Sequence, residues 1–280
     1  MKAALQVYSV KEHAKRDMRE TLHKISEIGY HGVEFAGLYG YALSDVKTML
    51  DETGLIPISA HVSLDAVRDD PDGVIGGYSE LGCSYIAIPH VGADRLPSGG
   101  RFDETLRDIA AMAVLVRRHG MRLLYHNHYH EFETTGGEYA LDMLYRTIPA
   151  DLLSTQIDTC WVSVAGEDPA AYVRKYAGRA PIVHVRDFYM SAREKGTGPA
   201  VLISGPADGV ESRPVGYGMQ DVPAIISACR DAGTDWLVVE YNGAPMGRAA
   251  LTCAATSFAY LAGLGAVRRS ARKAVLYSPI

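Results

Sequence analysis

Short runs of apolar and β-branched residues alternate with longer amphipathic stretches along most of the chain. Eight of the short runs have the composition of buried strands, and they fall at residues 3–8, 32–36, 56–62, 85–89, 122–127, 153–158, 182–187 and 236–241. Stretches with helical spacing lie between and after them, at residues 16–28, 44–52, 64–81, 102–119, 139–147, 168–176, 221–232 and 248–264. The alternation predicts parallel strands that are joined by right-handed helical crossovers.

Eight such units predict a closed (β/α)8 TIM barrel that forms one domain of residues 1–280. An open, doubly wound sheet is the alternative, but its dinucleotide-binding form needs a glycine-rich turn after the first strand, and residues 8–12 contain no glycine. The segment 201–218, rich in glycine and proline, follows the seventh strand, so we expect it to form a loop at the barrel mouth. We expect residues 268–280 to form a tail that docks on the barrel or on a neighbouring chain.

Composition narrows the range of partners and locations. The 280 residues carry a formal net charge of −5, which gives no electrostatic reason to expect nucleic acid or an anionic membrane. No apolar run approaches the roughly 18 residues of a membrane span, and the first residues predict a strand rather than a signal peptide. The four cysteines are far apart, which argues against a structural zinc site and a disulfide scaffold. We therefore expect a cytoplasmic protein, and the sequence leaves homo-oligomerisation open.

Polar side chains concentrate where the predicted strands end. In a barrel of this kind the active site is formed by the carboxyl ends of the strands and by the loops that follow them. The polar residues at those positions are Glu34, His61, His90, His126, Asp158, His184, Arg186 and Glu240. Burying such groups costs several kcal/mol unless something compensates, and a shared divalent cation does so.

Four of these residues predict a metal site. Asp158, His184 and Glu240 end three consecutive strands, and His126 ends the strand before them. Mixed nitrogen and oxygen donors suit Mn, Co, Mg, Fe or Zn, and we predict one such ion. Taken singly, each residue has an ordinary alternative: Glu240 could pair with Arg248, His184 could be a satisfied core histidine, and Asp158 could cap the following turn. The occurrence of all four at adjacent strand ends favours the metal site.

The segment 125–132 reads Tyr-His-Asn-His-Tyr-His-Glu-Phe and is unusual in itself. Strand alternation points both His126 and His128 toward the barrel axis, and we expect Glu131 to hang over the mouth. The alternative is that this histidine-rich loop is an incidental metal-binding surface.

The chain resembles the xylose-isomerase-like barrel superfamily, in the sugar phosphate isomerase/epimerase group. The resemblance is carried by residues 6–10, 29–37, 125–132, 157–161, 183–187 and 239–240, and it spans almost the whole chain. The resemblance implies a metal that is held from strands five to eight. In related ketose 3-epimerases the strand-five ligand is a glutamate that also moves a proton, whereas His126 stands there in this chain. Either His126 is the ligand and Glu131 or another base takes the proton, or Glu131 itself reaches the metal. The family's Gly-Glu-Gly also reads Gly-Tyr-Gly here, at residues 216–218.

These observations predict a divalent-metal-dependent isomerase or epimerase that acts on a keto-sugar or related polyol. The reaction would begin with proton abstraction beside a metal-bound carbonyl, with Glu240 as ligand and base and Glu131 acting on the opposite face. We expect the substrate to be bound by Arg186, through an oxygen or a phosphate, and by Glu34, His61, His90, His128 and Trp161.

Three other functions are weighed against this one. A lyase that dehydrates a keto-inositol or cleaves a 3-keto-glycoside would use the same residues and the same first step. Phosphodiester cleavage, as in the endonuclease IV branch of the superfamily, would need more zinc ligands and a basic surface, which the net charge does not favour. A non-catalytic sugar-binding barrel would leave the ligand set unexplained.

Overall fold

Eight parallel strands close into a barrel in the computed structural model of the protein, which describes residues 1–190 and 209–270. The strands are β1 Lys2–Gln6, β2 Gly32–Phe35, β3 Ile56–His61, β4 Tyr85–Ile88, β5 Arg122–His126, β6 Leu153–Asp158, β7 Ile182–Val185 and β8 Trp236–Val239. Each strand pairs with its neighbours in sequence, and β1 pairs with β8 to complete the ring. The predicted (β/α)8 barrel is confirmed.

Helices surround the strands on the outside. They are α1 Lys11–Arg16, α2 Met18–Ile28, α3 Leu43–Thr53, α4 Pro71–Leu81, α5 Phe102–Arg118, α6 Ala140–Thr147, α7 Thr159–Val164, α8 Pro169–Lys175, α9 Val222–Ala232 and α10 Ala250–Gly263. In the described part of the chain, none of these helices has the length and apolar character that a membrane crossing requires.

Two helices begin later than the sequence predicts, because an aspartate side chain caps the first turn of each. Asp17 has extended backbone and accepts the Glu20 N–H, so the helix predicted at 16–28 begins anew at Met18. Asp70 accepts the Gly73 N–H, so the helix predicted at 64–81 begins only at Pro71. An oxygen at the N-cap satisfies a backbone donor that the helix leaves without a partner, which fixes the first turn.

The seventh strand also ends earlier than predicted. After Val185 the chain leaves the barrel, and Asp187–Tyr189 pairs antiparallel with Glu211–Arg213. The Asp187 carboxylate accepts backbone N–H groups from Gly216, Gly218 and Gln220, and so fastens the returning chain. Part of the predicted mouth loop at 201–218 is therefore the strand Glu211–Arg213, and the residues after it are bound to Asp187. Residues 201–208 of the loop and 271–280 of the predicted tail lie outside the described residues.

The barrel interior changes character along its axis. Apolar residues fill its amino-terminal half, six of them aliphatic and one aromatic, and they are Ala4, Ile58, Ala87, Leu124, Ile182, Trp236 and Val238. The larger apolar core lies between the strands and the surrounding helices. Because inward positions recur every second residue, whatever follows this apolar layer by two residues must point into the carboxyl-terminal half of the barrel.

Candidate metal centre and active site

A polar layer stands directly above the apolar layer of the barrel. His126 follows Leu124 by two residues, and Glu240 stands in the same relation to Val238. His184 follows Ile182 in the same way. The strand period therefore brings these side chains to the carboxyl end of the barrel interior, as the sequence predicted.

The four predicted metal ligands meet in this layer. One donor atom from each of His126, Asp158, His184 and Glu240 lies within 4.8 Å of the others. All four residues are buried. The structure thus brings together two imidazoles and two carboxylates that could hold a metal ion.

Asp158 offers the sharpest test of whether a cation fits. Its Oδ1 accepts the N–H groups of Cys160 and Trp161 and caps α7, so the predicted capping role is present as well. Its Oδ2 is buried and has no hydrogen-bond partner among residues 1–190 and 209–270. Nε2 of His126 lies 3.7 Å from it, and Nη1 of Arg186 lies 3.9 Å from it, both beyond hydrogen-bond distance. Burial raises the pKa of Asp158 to about 6, against the attraction of Arg186. A buried carboxylate oxygen without a hydrogen-bond partner, close to an imidazole nitrogen, could serve as a ligand to a cation, so the residues fit a metal.

His184 lies between two carboxylates. Its Nε2 is 2.7 Å from Oε1 of Glu34, and its Nδ1 is 2.8 Å from Oε2 of Glu240. Burial lowers the pKa of His184, but Glu34 and Glu240 outweigh it and raise the pKa to about 10. Without a cation, both ring nitrogens therefore carry protons. A cation held at Nδ1 would replace one of these protons, while the hydrogen bond from Nε2 to Glu34 would keep the ring in place.

This proton makes metal affinity depend on pH. Because His184 is protonated below its raised pKa and must lose one proton to bind a cation, we expect the affinity for Zn²⁺ to rise by about tenfold per pH unit near neutrality. Competition with a chelating dye between about pH 6 and pH 8 measures this slope. An affinity that stays constant with pH would contradict a His184 that must lose a proton to bind the ion.

Glu34 lies below His126, Asp158, His184 and Glu240, which we call the metal-ligand group. It does not line the cavity that opens above this group. Five side chains direct donors to its carboxylate, and they are Gln6, Ser59, His61, Gln156 and His184. Burial raises the pKa of Glu34, but the charges of His61 and His184 and their hydrogen bonds outweigh it and hold the pKa well below 4.5. The sequence predicted that Glu34 binds substrate. In the structure it does not line the cavity, and it supports His184 from below instead.

Gln156 is a site residue that the sequence analysis missed. Its Nε2 donates to Oε2 of Glu34 at 2.6 Å, and its Oε1 lies 3.1 Å from Nδ1 of His126. That contact occupies Nδ1 of His126 and leaves Nε2 directed toward Asp158. Burial and the neighbouring histidines hold the pKa of His126 well below 6.5, so its lone pair is available to a cation. The available signal was its spacing, because Gln156 precedes Asp158 by two residues on β6.

Glu131 is not brought to the metal-ligand group. Its Oε1 accepts the Tyr125 hydroxyl at 2.8 Å, and its Oε2 accepts the backbone N–H of His128 at 2.8 Å. Tyr125 belongs to the outer core between the barrel and the helices. Of the two alternatives for the strand-five ligand, the geometry groups His126 with the three other candidate ligands, whereas Glu131 bonds to Tyr125 and to the backbone of the loop after β5.

A cavity of about 590 Å³ opens above the metal-ligand group. The predicted substrate residues that line it are His61, His90, His128, Trp161 and Arg186. Arg186 stacks on Trp161, with its guanidinium carbon 4.7 Å from the ring centre, and its Nη1 lies 3.5 Å from Oε1 of Glu240. Three buried atoms on this wall have no partner within the described ranges: Nδ1 of His128, Nε1 of Trp161 and Nε of Arg186. A polar ligand in the cavity can satisfy them.

A closed (β/α)8 barrel with a His/Asp/Glu group at its carboxyl-terminal mouth defines a TIM-barrel protein with a candidate metal centre. The chain belongs to the xylose isomerase-like TIM barrel family, whose profile matches residues 22–262. The family resemblance seen in the sequence is thereby confirmed.

Individual relatives show what the chain is similar to. It is 30% identical over 131 residues to an inosose dehydratase of Lacticaseibacillus casei, and the match covers 46% of this chain and 43% of that enzyme. The chain therefore matches less than half the length of this curated relative. The fold is similar to a sugar phosphate isomerase/epimerase from Parabacteroides distasonis, with a TM-score of 0.75, 20% identity and coverage of 96% and 100% of the two chains. It is also similar to the IolI protein crystallised with a zinc atom, with a TM-score of 0.70, 14% identity and coverage of 94% and 98%.

Proposed function

We propose that the protein is a divalent-metal-dependent lyase that eliminates a β-oxygen substituent, with water as the simplest case, from a keto-polyol. The observation that carries the proposal is that Glu240 is the one carboxylate lining the cavity among the described residues, and that it also belongs to the metal-ligand group. The L. casei relative, an inosose dehydratase, supports the same class of reaction.

The proposed metal ligands are His126, Asp158, His184 and Glu240. When bound, a divalent cation would supply Lewis-acid polarisation of the substrate carbonyl. Two imidazoles and two carboxylates form a donor set of intermediate softness, which suits Zn, Fe, Co or Mn better than Mg. We therefore propose a transition metal, with zinc as the first ion to test.

Glu240 would act as the base. Its two oxygens face different partners, because Oε2 is directed to His184 and Oε1 is directed to Arg186 at the cavity wall. Burial raises the pKa of Glu240, but the hydrogen bond from His184 and the charge of Arg186 outweigh it and lower the pKa, so the carboxylate is ionised. In this mechanism Glu240 takes the proton from the carbon next to the carbonyl. Arg186 holds an oxygen of the substrate through hydrogen bonds.

His61 would assist the leaving group. It lines the cavity, and its Nε2 lies 3.0 Å from Oε1 of Glu34. As the carbon–oxygen bond breaks and the double bond forms, His61 gives a proton to the departing oxygen, so that an alkoxide or hydroxide leaves as a neutral molecule. One proton is taken by Glu240 and one is given by His61, and solvent exchange restores both residues.

Isomerisation of the same kind of substrate is the second candidate. Glu240 alone could move a proton between adjacent carbons, so an aldose–ketose interconversion needs no further base. Epimerisation is less well supported, because the strand-five position holds His126 and the Glu131 carboxylate is occupied by Tyr125 and the His128 backbone.

The product distinguishes these reactions. The protein is freed of metal, reconstituted with Zn²⁺, Mn²⁺ or Co²⁺, and incubated with keto-inositols and keto-sugars in deuterated water. A lyase yields an unsaturated product that is lighter by one water or has released an alcohol, and the reaction requires metal. A product of unchanged formula that has gained deuterium on carbon would establish the isomerase instead. Full turnover by the metal-free protein would contradict both.

A further inference from the structure

The two halves of the cavity wall differ in chemistry. The metal-ligand group, Arg186 and Trp161 belong to β5–β8 and the segments that follow them. The opposite half is formed by the ends of β1–β4 and by α4, and it presents mostly apolar side chains. We call these residues the apolar lobe; they are Tyr8, Ala36, Val62, Ala66, Val74, Tyr78 and Pro89. Among the described residues, the same half also presents Gln6, His61, Ser63 and His90 to the cavity, but no carboxylate, lysine or arginine.

The size of the cavity matches a ligand larger than one polyol ring. A volume of about 590 Å³ lies in the middle of the range that holds drug-sized molecules, whereas a six-carbon keto-polyol occupies only part of it. A small, strongly hydrated polyol would also gain nothing from an apolar wall, because hydroxyl groups lose hydrogen bonds there. The lobe therefore fits a second, apolar part of the ligand.

The position of His61 indicates where that part is attached. His61 is the last residue of β3, and Val62 and Ser63 directly after it also line the cavity. An oxygen that leaves the polyol beside His61 would therefore direct its substituent toward the lobe.

We infer that the substrate is a keto-glycoside, and that the departing oxygen carries an apolar, ring-sized aglycone that the apolar lobe binds. This inference rests on the proposed function, because the keto-polyol ring must lie at the metal-ligand group. Glu240 takes the proton from the carbon next to the carbonyl, the carbon–carbon double bond forms, and the glycosidic carbon–oxygen bond breaks. The departing oxygen gains a proton from His61, so the products are an unsaturated keto-sugar and a neutral alcohol or phenol.

Binding can be tested without turnover. Methyl and phenyl β-D-glucopyranoside lack the carbonyl, so they cannot react, and they differ only in the aglycone. With the zinc-reconstituted full chain, we expect phenyl glucoside to bind at least about tenfold more tightly than methyl glucoside in calorimetric titrations, because the phenyl ring is removed from water. Equal affinities would overturn the inference.

Matched variants locate the effect. Ala66→Glu places a charge in the lobe at an exposed position, and it should lower the ratio of phenyl to methyl glucoside affinity to about one, because burying the phenyl ring beside a charge no longer favours binding. Val74→Asp provides a second test from α4, and Val114→Glu on the exposed face of α5 is the control, with the preference retained. If both lobe variants keep the preference, the aglycone lies elsewhere. If no keto-inositol and no keto-glycoside is eliminated, the proposed function is refuted, and a phenyl preference would then show aglycone binding alone. Dehydration of keto-inositols without a phenyl preference would refute this inference and leave the proposed function standing.

Discussion

Replacing Glu240 by glutamine is expected to lower kcat on the keto-polyol substrate by about 10⁴-fold, the upper range for removal of a general base. The amide keeps the size of the side chain, but its oxygen is too weakly basic to accept the proton. It also weakens one metal ligand, so the loss is measured by single-turnover kinetics at saturating Zn²⁺, with bound zinc determined in the same samples.

Glu131→Gln is the informative comparison for this variant. The glutamine oxygen can accept the His128 N–H while the amide N–H donates to the oxygen of the Tyr125 hydroxyl, so we expect kcat close to that of the unmodified protein. Glu211→Gln, on the exposed hairpin strand, controls for surface charge. A Glu131→Gln protein with bound zinc and a loss equal to that of Glu240→Gln would return the base role to Glu131.

Replacing Asp158 by asparagine is expected to change stability in opposite directions with and without metal. Burial raises the Asp158 pKa from its ordinary 3.8 to about 6. The free energy of unfolding of the metal-free protein therefore falls as pH rises above 3.8, because the folded state holds the ionised carboxylate at a cost. The full loss is reached above about pH 6. At pH 7 the neutral asparagine removes this cost and can still accept the two N–H bonds at the start of α7. We expect Tm of the metal-free variant to be equal to or higher than that of the unmodified protein.

With Zn²⁺ bound, the unmodified protein should have a higher Tm than the Asp158→Asn variant. A ligand present at about 1,000 times its Kd stabilises the folded state by about 4 kcal/mol, and the asparagine variant should lose most of that gain. Thermal unfolding with and without Zn²⁺ measures both effects. A variant that is less stable without metal and equally stabilised by zinc would contradict the assignment of Asp158 as a ligand.

The barrel and its ligand set could be predicted because both depend on short-range periodicity. A buried strand with Asp158 or Glu240 at its carboxyl end is visible as a polar residue that interrupts an apolar run. Parallel topology then requires those ends to meet. No knowledge of distant contacts is needed for that step.

The roles of Glu34, Glu131 and Gln156 could not be predicted in the same way. Glu34 and Gln156 point inward as the strand period requires, but their depth beneath His184 depends on how the eight strands are staggered. Glu131 follows β5 in a short 3-10 turn, His130–Phe132, where the strand period no longer applies. Its direction is set by the hydroxyl of Tyr125, a contact between the loop and the outer face of the strand.

The fastening of the chain by Asp187 has a consequence for the evolution of the barrel. The antiparallel pair Asp187–Tyr189 and Glu211–Arg213, together with the amide bonds to Asp187, joins the two ends of the excursion after β7. Once such ends are joined, doubling the intervening length costs only about 0.6 kcal/mol of closure entropy. This place in the barrel can therefore accept new or longer segments, and acquire new specificity from them, while the eight strands keep their registration.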